Sequence, residues 1–174
     1  MIHLYHGEGK GKTTAAAGLA LRFAGHGKPV IFVQFLKDGN SGELHALQEL
    51  PNIKVLTGKM TGFCCHMEME EKMAFAGEQK ELLEQVLKEM KDMEEGLVVL
   101  DEVTYVYNWD MISKKELEAL LEEMTGEKGE RIELVMTGRD PDEKLKQYAD
   151  YITEMKSEKH PYEKGILARE GVEF

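Results

Sequence analysis

The stretch "HGEGKGKTTAAAG" at residues 6–18 restricts this chain more than any other part of it. Ahead of it, "MIHLYH" (1–6) is an apolar segment that reads as a short strand. Behind it, "TTAAAGLALRFAG" (13–25) is dense in helix formers and is stopped by Gly25-His26-Gly27. Strand, glycine-rich turn and helix make the frame of a phosphate-binding loop. There, glycines let consecutive backbone N–H groups turn inward onto an anion at a helix amino end. The usual pattern is G-x-x-x-x-G-K-[ST]. Only its second half, Gly11-Lys12-Thr13, is present; His6 takes the place of the first glycine, and Gly7, Gly9 and Lys10 crowd the interval. The candidate ATP- and phosphate-binding residues are Gly7, Glu8, Gly9, Lys10, Gly11, Lys12, Thr13 and Thr14. Lys12 would reach the terminal phosphates, and the Thr13 hydroxyl suits Mg²⁺.

Such a loop needs a sheet behind it, and the remaining sequence supplies one. "PVIFVQFL" (29–36), "IKVL" (53–56), "GLVVLDE" (96–102), "RIELVMTGR" (131–139) and "YITEMK" (151–156) read as strands. Between them, Leu82, Leu83, Val86, Leu87, Met90 and Met93 share one face of a helix within 71–95. Leu117, Leu120, Leu121 and Met124 form a second such face, and 141–150 reads as a helix capped by Asp142. Residues 57–70 read as loop, and 164–174 as a short edge segment or hairpin. Helices alternating with short apolar strands predict one α/β domain over 1–174, with a mainly parallel sheet covered by helices.

In that architecture ligands bind beyond the carboxyl ends of the strands. Four clusters fall there: the loop, "QFLKDG", "DEVTY" and "TGR". Asp101 and Glu102 close an apolar strand, where an acid can hold Mg²⁺ or its waters or serve as a general base. Arg139 ends another strand with a guanidinium suited to carboxylate, amide or phosphate groups, and Arg22 follows on the helix after the loop. His160, beside Pro161, reads as a loop residue, and no Ser-His-Asp spacing is present.

The 33 acidic and 22 basic residues leave a net charge of −11, a surface that repels a nucleic-acid backbone. A small anion is still attracted locally by Lys10 and Lys12. No apolar run approaches the ~20 residues of a membrane span, and no basic leader opens the chain, so a cytoplasmic protein without membrane partners is expected. The two cysteines, Cys64 and Cys65, are neighbours and cannot staple distant segments, which fits a reducing compartment. No second Cys/His pair at zinc spacing accompanies them.

Taken in order, "GEGKGKTTAAAGLALRFAGHG", "VQFLK", "GE" (42–43), "VVLDEVTY", "TGR", "ADYITEM" and "KHPYEKGILAREGVEF" resemble the P-loop ATP:cob(I)alamin (corrinoid) adenosyltransferases over nearly the whole chain. The family's loop also lacks the first glycine. The resemblance implies a P-loop NTPase (RecA-like) three-layer sandwich and transfer of the 5′-deoxyadenosyl group of ATP to Co(I) of a corrinoid, with release of triphosphate. By position it implies that Lys12 and the loop amides hold triphosphate, that Thr13 and Glu102 hold Mg²⁺, and that Asp101 assists through water. It also implies that Arg22 and Arg139 lie on the corrinoid side, with Gln34 and Lys37 at the crevice edge. A homodimer and a reduced flavoprotein electron donor are implied as partners.

Two departures accompany it. Relatives carry G-F-x-W before the acidic helix, whereas this chain has "GFCCH": Phe63 is kept and Cys65 stands in the place of Trp. In the family that aromatic pair covers the lower face of the corrin, so Phe63 and Cys65 are the corresponding candidates here, Cys65 either as a smaller apolar filler or as a sulfur offered to the cobalt. The loop begins six residues from Met1, so the corrinoid-covering amino-terminal helix of some relatives is not expected. Two other readings use the same loop: a P-loop ATPase or kinase acting on the γ-phosphate, and a nucleotide-binding module that turns nothing over.

Overall fold

Six short strands lie side by side and all run the same way. They are β1 (Ile2–His6), β2 (Val30–Gln34), β3 (Ile53–Thr57), β4 (Gly96–Asp101), β5 (Ile132–Gly138) and β6 (Tyr151–Glu154). The sheet order is β3-β2-β4-β5-β1-β6, and each neighbouring pair is parallel. This computed structural model describes residues 1–59 and 68–172. The strands β2 and β4 are buried at every position, which is why their sequences are unbroken apolar runs rather than alternating ones.

Parallel neighbours need crossovers, and helices provide them. They are α1 (Lys12–Ala24), α2 (Gly42–Gln48), α3 (Met69–Lys91), α4 (Val103–Asn108), α5 (Lys114–Met124) and α6 (Glu143–Tyr148). Two cores result, one on each face of the sheet. On one side Ala16, Ala17, Ala20 and Ala24 of α1 pack with Val30, Phe32, Leu97, Val99 and Val135. Alanines on that face bring α1, and the loop at its start, close to the sheet. On the other side Leu82, Leu83, Val86 and Met90 of α3 join Leu117, Leu120 and Leu121 of α5 against Val33, Val98, Leu100 and Leu134. The start of α3 is fixed by a capping box in which Glu68 and Glu71 bond each other's backbone N–H groups.

The expected α/β layers are present, and the sheet is wholly rather than mainly parallel. The helix expected over 71–95 runs from Met69 to Lys91. Two short helices were not foreseen: α2, and α4 directly after the acidic strand end. Each has only six or seven residues, too few for a helical period to stand out in sequence. The segment expected as an edge or hairpin is neither. A 3₁₀ turn covers Pro161–Lys164, and no strand follows among the described residues up to 172. Among the described residues, no helix is long and apolar enough to cross a membrane.

Candidate functional site

The phosphate-loop residues leave β1 and enter α1 through a backbone that requires glycine. Gly7 and Gly11 have φ of 107° and 110°, and a Cβ on Gly9 would meet the Met155 carbonyl oxygen at 2.6 Å. That approach exists because Met155, directly after β6, clamps the loop: its N–H donates to His6 O at 2.7 Å, and Gly9 N–H donates to Met155 O at 2.6 Å. From the first turn of α1 the Lys12 ammonium folds back and donates to Gly7 O (2.7 Å) and Gly9 O (2.9 Å). Burial, first among the causes, lowers the Lys12 pKa, while Glu102 and other nearby carboxylates oppose the shift.

Across the loop, β4 delivers its two acids. One strand, β5, separates β1 from β4, and its Thr137 fills the gap between them. The fully buried Asp101 accepts from Thr13 Oγ1 (3.0 Å to Oδ1), Thr137 Oγ1 (2.6 Å to Oδ1) and Gln34 Nε2 (3.0 Å to Oδ2). Lys37 Nζ stands 4.0 Å from Oδ2. Glu102 follows in the left-handed region (φ 63°), costly for a residue with a side chain, and its N–H donates to Thr137 Oγ1 at 2.9 Å. The Glu102 Oε2 atom is buried with no hydrogen-bond partner.

These elements surround a cavity of about 540 Å³, within the ~300–1,000 Å³ of small-molecule sites. Lys10, Gly11, Lys12, Thr13 and Thr14 form one wall, with Ala17 of α1 beside them. Lys37 and Glu102 also line the cavity, Gly42 and Glu43 come from the first turn of α2, and His160, Gly171 and Val172 complete the lining. His160 Nδ1 accepts from Tyr162 N–H (3.2 Å), so a neutral His160 carries its proton on Nε2.

The donor set fits a small hard cation: a hydroxyl from Thr13, and the carboxylates of Glu102 and Asp101, one with a buried oxygen that lacks a partner. Among the described residues no group of three or more His, Cys, Asp or Glu side chains converges on a point. An ion here would therefore share its coordination with phosphate oxygens and water, as Mg²⁺ commonly does.

The structure brings Lys10, Gly11, Lys12, Thr13, Thr14 and Glu102 together on one cavity, with Lys37 on the same cavity and Gln34 bonded to Asp101. Gly7, Glu8 and Gly9 are placed differently. Gly7 and Gly9 lend their carbonyls to Lys12, and Glu8 turns outward to pair with Arg139 Nη1 at 2.8 Å. Arg139 is held at that spot by its own carbonyl, which accepts from Thr104 Oγ1 at 2.9 Å. Arg22 is not gathered into the cavity. It lies exposed on the last turn of α1, about 15 Å along the helix from Lys12, and its charge acts on Tyr5. Phe63 and Cys65 lie outside the described residues. Glu43 and His160 were not assigned roles from sequence. Both stand in stretches that carry the family resemblance, "GE" (42–43) and "KHPYEKGILAREGVEF", which could have pointed to them; the path of the chain after β6 brings His160 to the loop.

Burial first, and then the Asp101 charge, push the Glu102 carboxyl above its ordinary range, against Lys37, Lys12 and Arg139. The folded protein thus holds that proton to higher pH than the unfolded chain. Its contribution to stability falls as pH rises from near the ordinary value of 4.5 through the raised folded value, and is constant above that. Thermal midpoints of the ligand-free protein are expected to show this downward slope, and Glu102→Gln is expected to remove it. A slope unchanged in the variant would assign the titration to another group.

The family model described as ATP:corrinoid adenosyltransferase BtuR/CobO/CobP matches residues 1–174. The chain is similar to a corrinoid adenosyltransferase of Sinorhizobium sp, 33% identical over 174 residues, spanning all of this chain and 80% of that protein. It is 31% identical over 175 residues to the Escherichia coli corrinoid adenosyltransferase, covering all of this chain and 85% of that one. It is 32% identical over 180 residues to the corrinoid adenosyltransferase CobA of Salmonella typhimurium, with the same coverages of 100% and 85%. Among solved structures, ATPases 2 and 3 of EssC from Geobacillus thermodenitrificans superpose with a TM-score of 0.54 at 18% identity, covering 98% of this chain and 34% of that one. That likeness concerns the fold alone.

Proposed function

The chain belongs to the ATP:corrinoid adenosyltransferases, enzymes that adenosylate corrinoids at the expense of ATP, and on that premise we propose how its residues divide the work. The Co(I) of the corrinoid substrate supplies the electron pair. A cobalt–carbon bond forms at the ribose 5′ carbon as the bond from that carbon to oxygen breaks, and triphosphate leaves with the pair. The substrate being the nucleophile, the protein needs no reactive Ser, Cys or His. What it must do is hold the leaving group and orient the ribose.

The observation that carries this reading is the convergence of Lys12, the loop residues around it, Thr13 and Glu102 on one cavity. Lys12 and the N–H groups around Gly11 are donors placed where triphosphate charge accumulates. Thr13 and Glu102 would ligate Mg²⁺, with Asp101 acting through water and keeping the Thr13 hydroxyl in place. Mg²⁺ would supply charge neutralisation on the departing triphosphate. Arg139, beside the loop but outside the cavity, is available to the corrinoid. Phe63 and Cys65 take the covering role implied by the family's aromatic pair, with Arg22 as a further corrinoid-side candidate.

The protein is taken to work as a homodimer in the cytoplasm, within corrinoid biosynthesis or salvage, and to receive its Co(I) substrate through a reduced flavoprotein. The dimer is supported by apolar side chains that the single chain leaves bare on β6 and beyond it: Tyr151, Ile152, Ile166 and Leu167, each 48% exposed or more. The test is to mix the protein with Mg-ATP and chemically reduced cob(I)alamin, following the cobalt spectrum and the phosphate products together. Adenosylcobalamin with equimolar triphosphate is the expected result. Corrinoid-independent release of phosphate would replace this reading by that of an ATPase.

A further inference from the structure

Glu43 is an acid on the wall of a cavity that must accept a polyanion. It stands in the first turn of α2, partly buried, lining the same space as Lys10–Thr14, Lys37 and Glu102. Its carboxylate has no hydrogen-bond or ion-pair partner among the described residues. An unpaired negative charge in that position repels triphosphate and weakens binding, unless the ligand brings donors to meet it.

ATP has two kinds of donor away from its phosphates. The adenine amine sits next to a ring nitrogen that is an acceptor, so a carboxylate facing that edge gains one bond and meets one repulsion. The vicinal 2′ and 3′ hydroxyls are both donors, side by side, and match the two oxygens of a carboxylate. The fold also favours the sugar. The triphosphate is fixed at the loop, and the ribose is the next group along the nucleotide. We infer that Glu43 is the ribose-diol acceptor of this cavity, positioning the sugar so that its 5′ carbon faces the corrinoid. His160, which lines the same cavity, closes the subsite.

The consequence concerns rate as well as affinity. The triphosphate moves away as the new bond forms, so the ribose anchor must fix the 5′ carbon through the transition state. Glu43 thus acts through the sugar and not on the reacting atoms, as a positioning residue. This inference rests on the family reading above.

The experiment compares ATP with 2′-deoxy-ATP and 3′-deoxy-ATP, by corrinoid-free calorimetric binding with Mg²⁺ and by adenosyl transfer to cob(I)alamin. The protein as it stands is expected to prefer ATP over either deoxynucleotide by about 10- to 100-fold in kcat/KM, as for hydrogen bonds to a charged group. In Glu43→Ala the preference is expected to shrink to within about threefold, while inorganic triphosphate, which has no hydroxyls to offer and no longer meets the carboxylate charge, binds more tightly. Glu43→Gln, which retains one acceptor oxygen, is expected to fall between them. Equal use of ATP and deoxy-ATP by the unchanged protein would overturn the assignment. So would a variant that is weakened but keeps the full preference, the behaviour of a metal ligand or a structural residue. Absence of transfer with every nucleotide would count against the family reading, whereas the calorimetric preference would still decide the role of Glu43.

Discussion

Lys12→Ala is expected to lower adenosyl transfer by about a hundred- to a thousandfold, the effect of removing one fixed donor from a developing anion. The ammonium is buried and already held by two loop carbonyls, Gly7 O and Gly9 O, before any ligand arrives. It is therefore set in place at no further entropic cost when the triphosphate enters. Lys12→Arg is expected to recover little, because a planar fork cannot occupy the point between those two carbonyls. Thermal stability should change by only a few degrees, since α1 packs through Ala16, Ala17, Ala20 and Ala24 on its other face. Triphosphate binding measured without corrinoid should weaken in parallel with transfer. A Lys12→Ala protein that transfers normally would move the leaving-group site away from the loop.

Asp101 gives the second large effect, and two substitutions there separate stability from chemistry. In Asp101→Ala, the Thr13, Thr137 and Gln34 donors lose their acceptor inside a fully buried region. A cost of about 3–5 kcal/mol is expected, a fall of roughly 6–20 °C in the thermal midpoint for a chain of this size. Asp101→Asn is expected to keep most of the stability. The Gln34 amide has a buried oxygen without a partner, and by turning over it can accept from the new Asn amide. Transfer should nevertheless fall by at least tenfold in Asp101→Asn, because the Thr13 hydroxyl loses its charged acceptor and the cation site loses a negative charge. If Asn and Ala destabilised the protein equally, the Gln34 rearrangement would be wrong. If Asn were fully active, the charge of Asp101 would have no part in the reaction.

Much of this arrangement could be read before any coordinates. The loop, its strand and its helix are a local signal, and the acids of "LVVLDE" are meaningful because they end a buried strand. What the sequence could not show was how the two meet. Thr137 occupies the space between β1 and β4 only because β5 is inserted there, a fact of sheet order and not of spacing. The left-handed backbone at Glu102 has no glycine to announce it. The outward turn of Glu8 toward Arg139 likewise depends on the ends of two strands lying side by side. Arg22 shows the opposite case: adjacent to the loop in sequence, it is carried away from it by the length of α1.

The clamp on the phosphate loop also bears on how the molecule reaches its native state. The strand that carries the loop is hydrogen-bonded at its start to groups 128 and 148 residues away, on Gly129 and Asp150, and lies between two strands from the far end of the chain. Such distant pairings form slowly, because a long chain must close before they are rewarded. The nucleotide site is thus expected to be among the last parts to become organised during folding, which late protection of β1 amides in pulsed hydrogen exchange would show. ATP can recognise only molecules whose sheet is already complete, so during refolding it stabilises the finished protein and cannot guide the early steps.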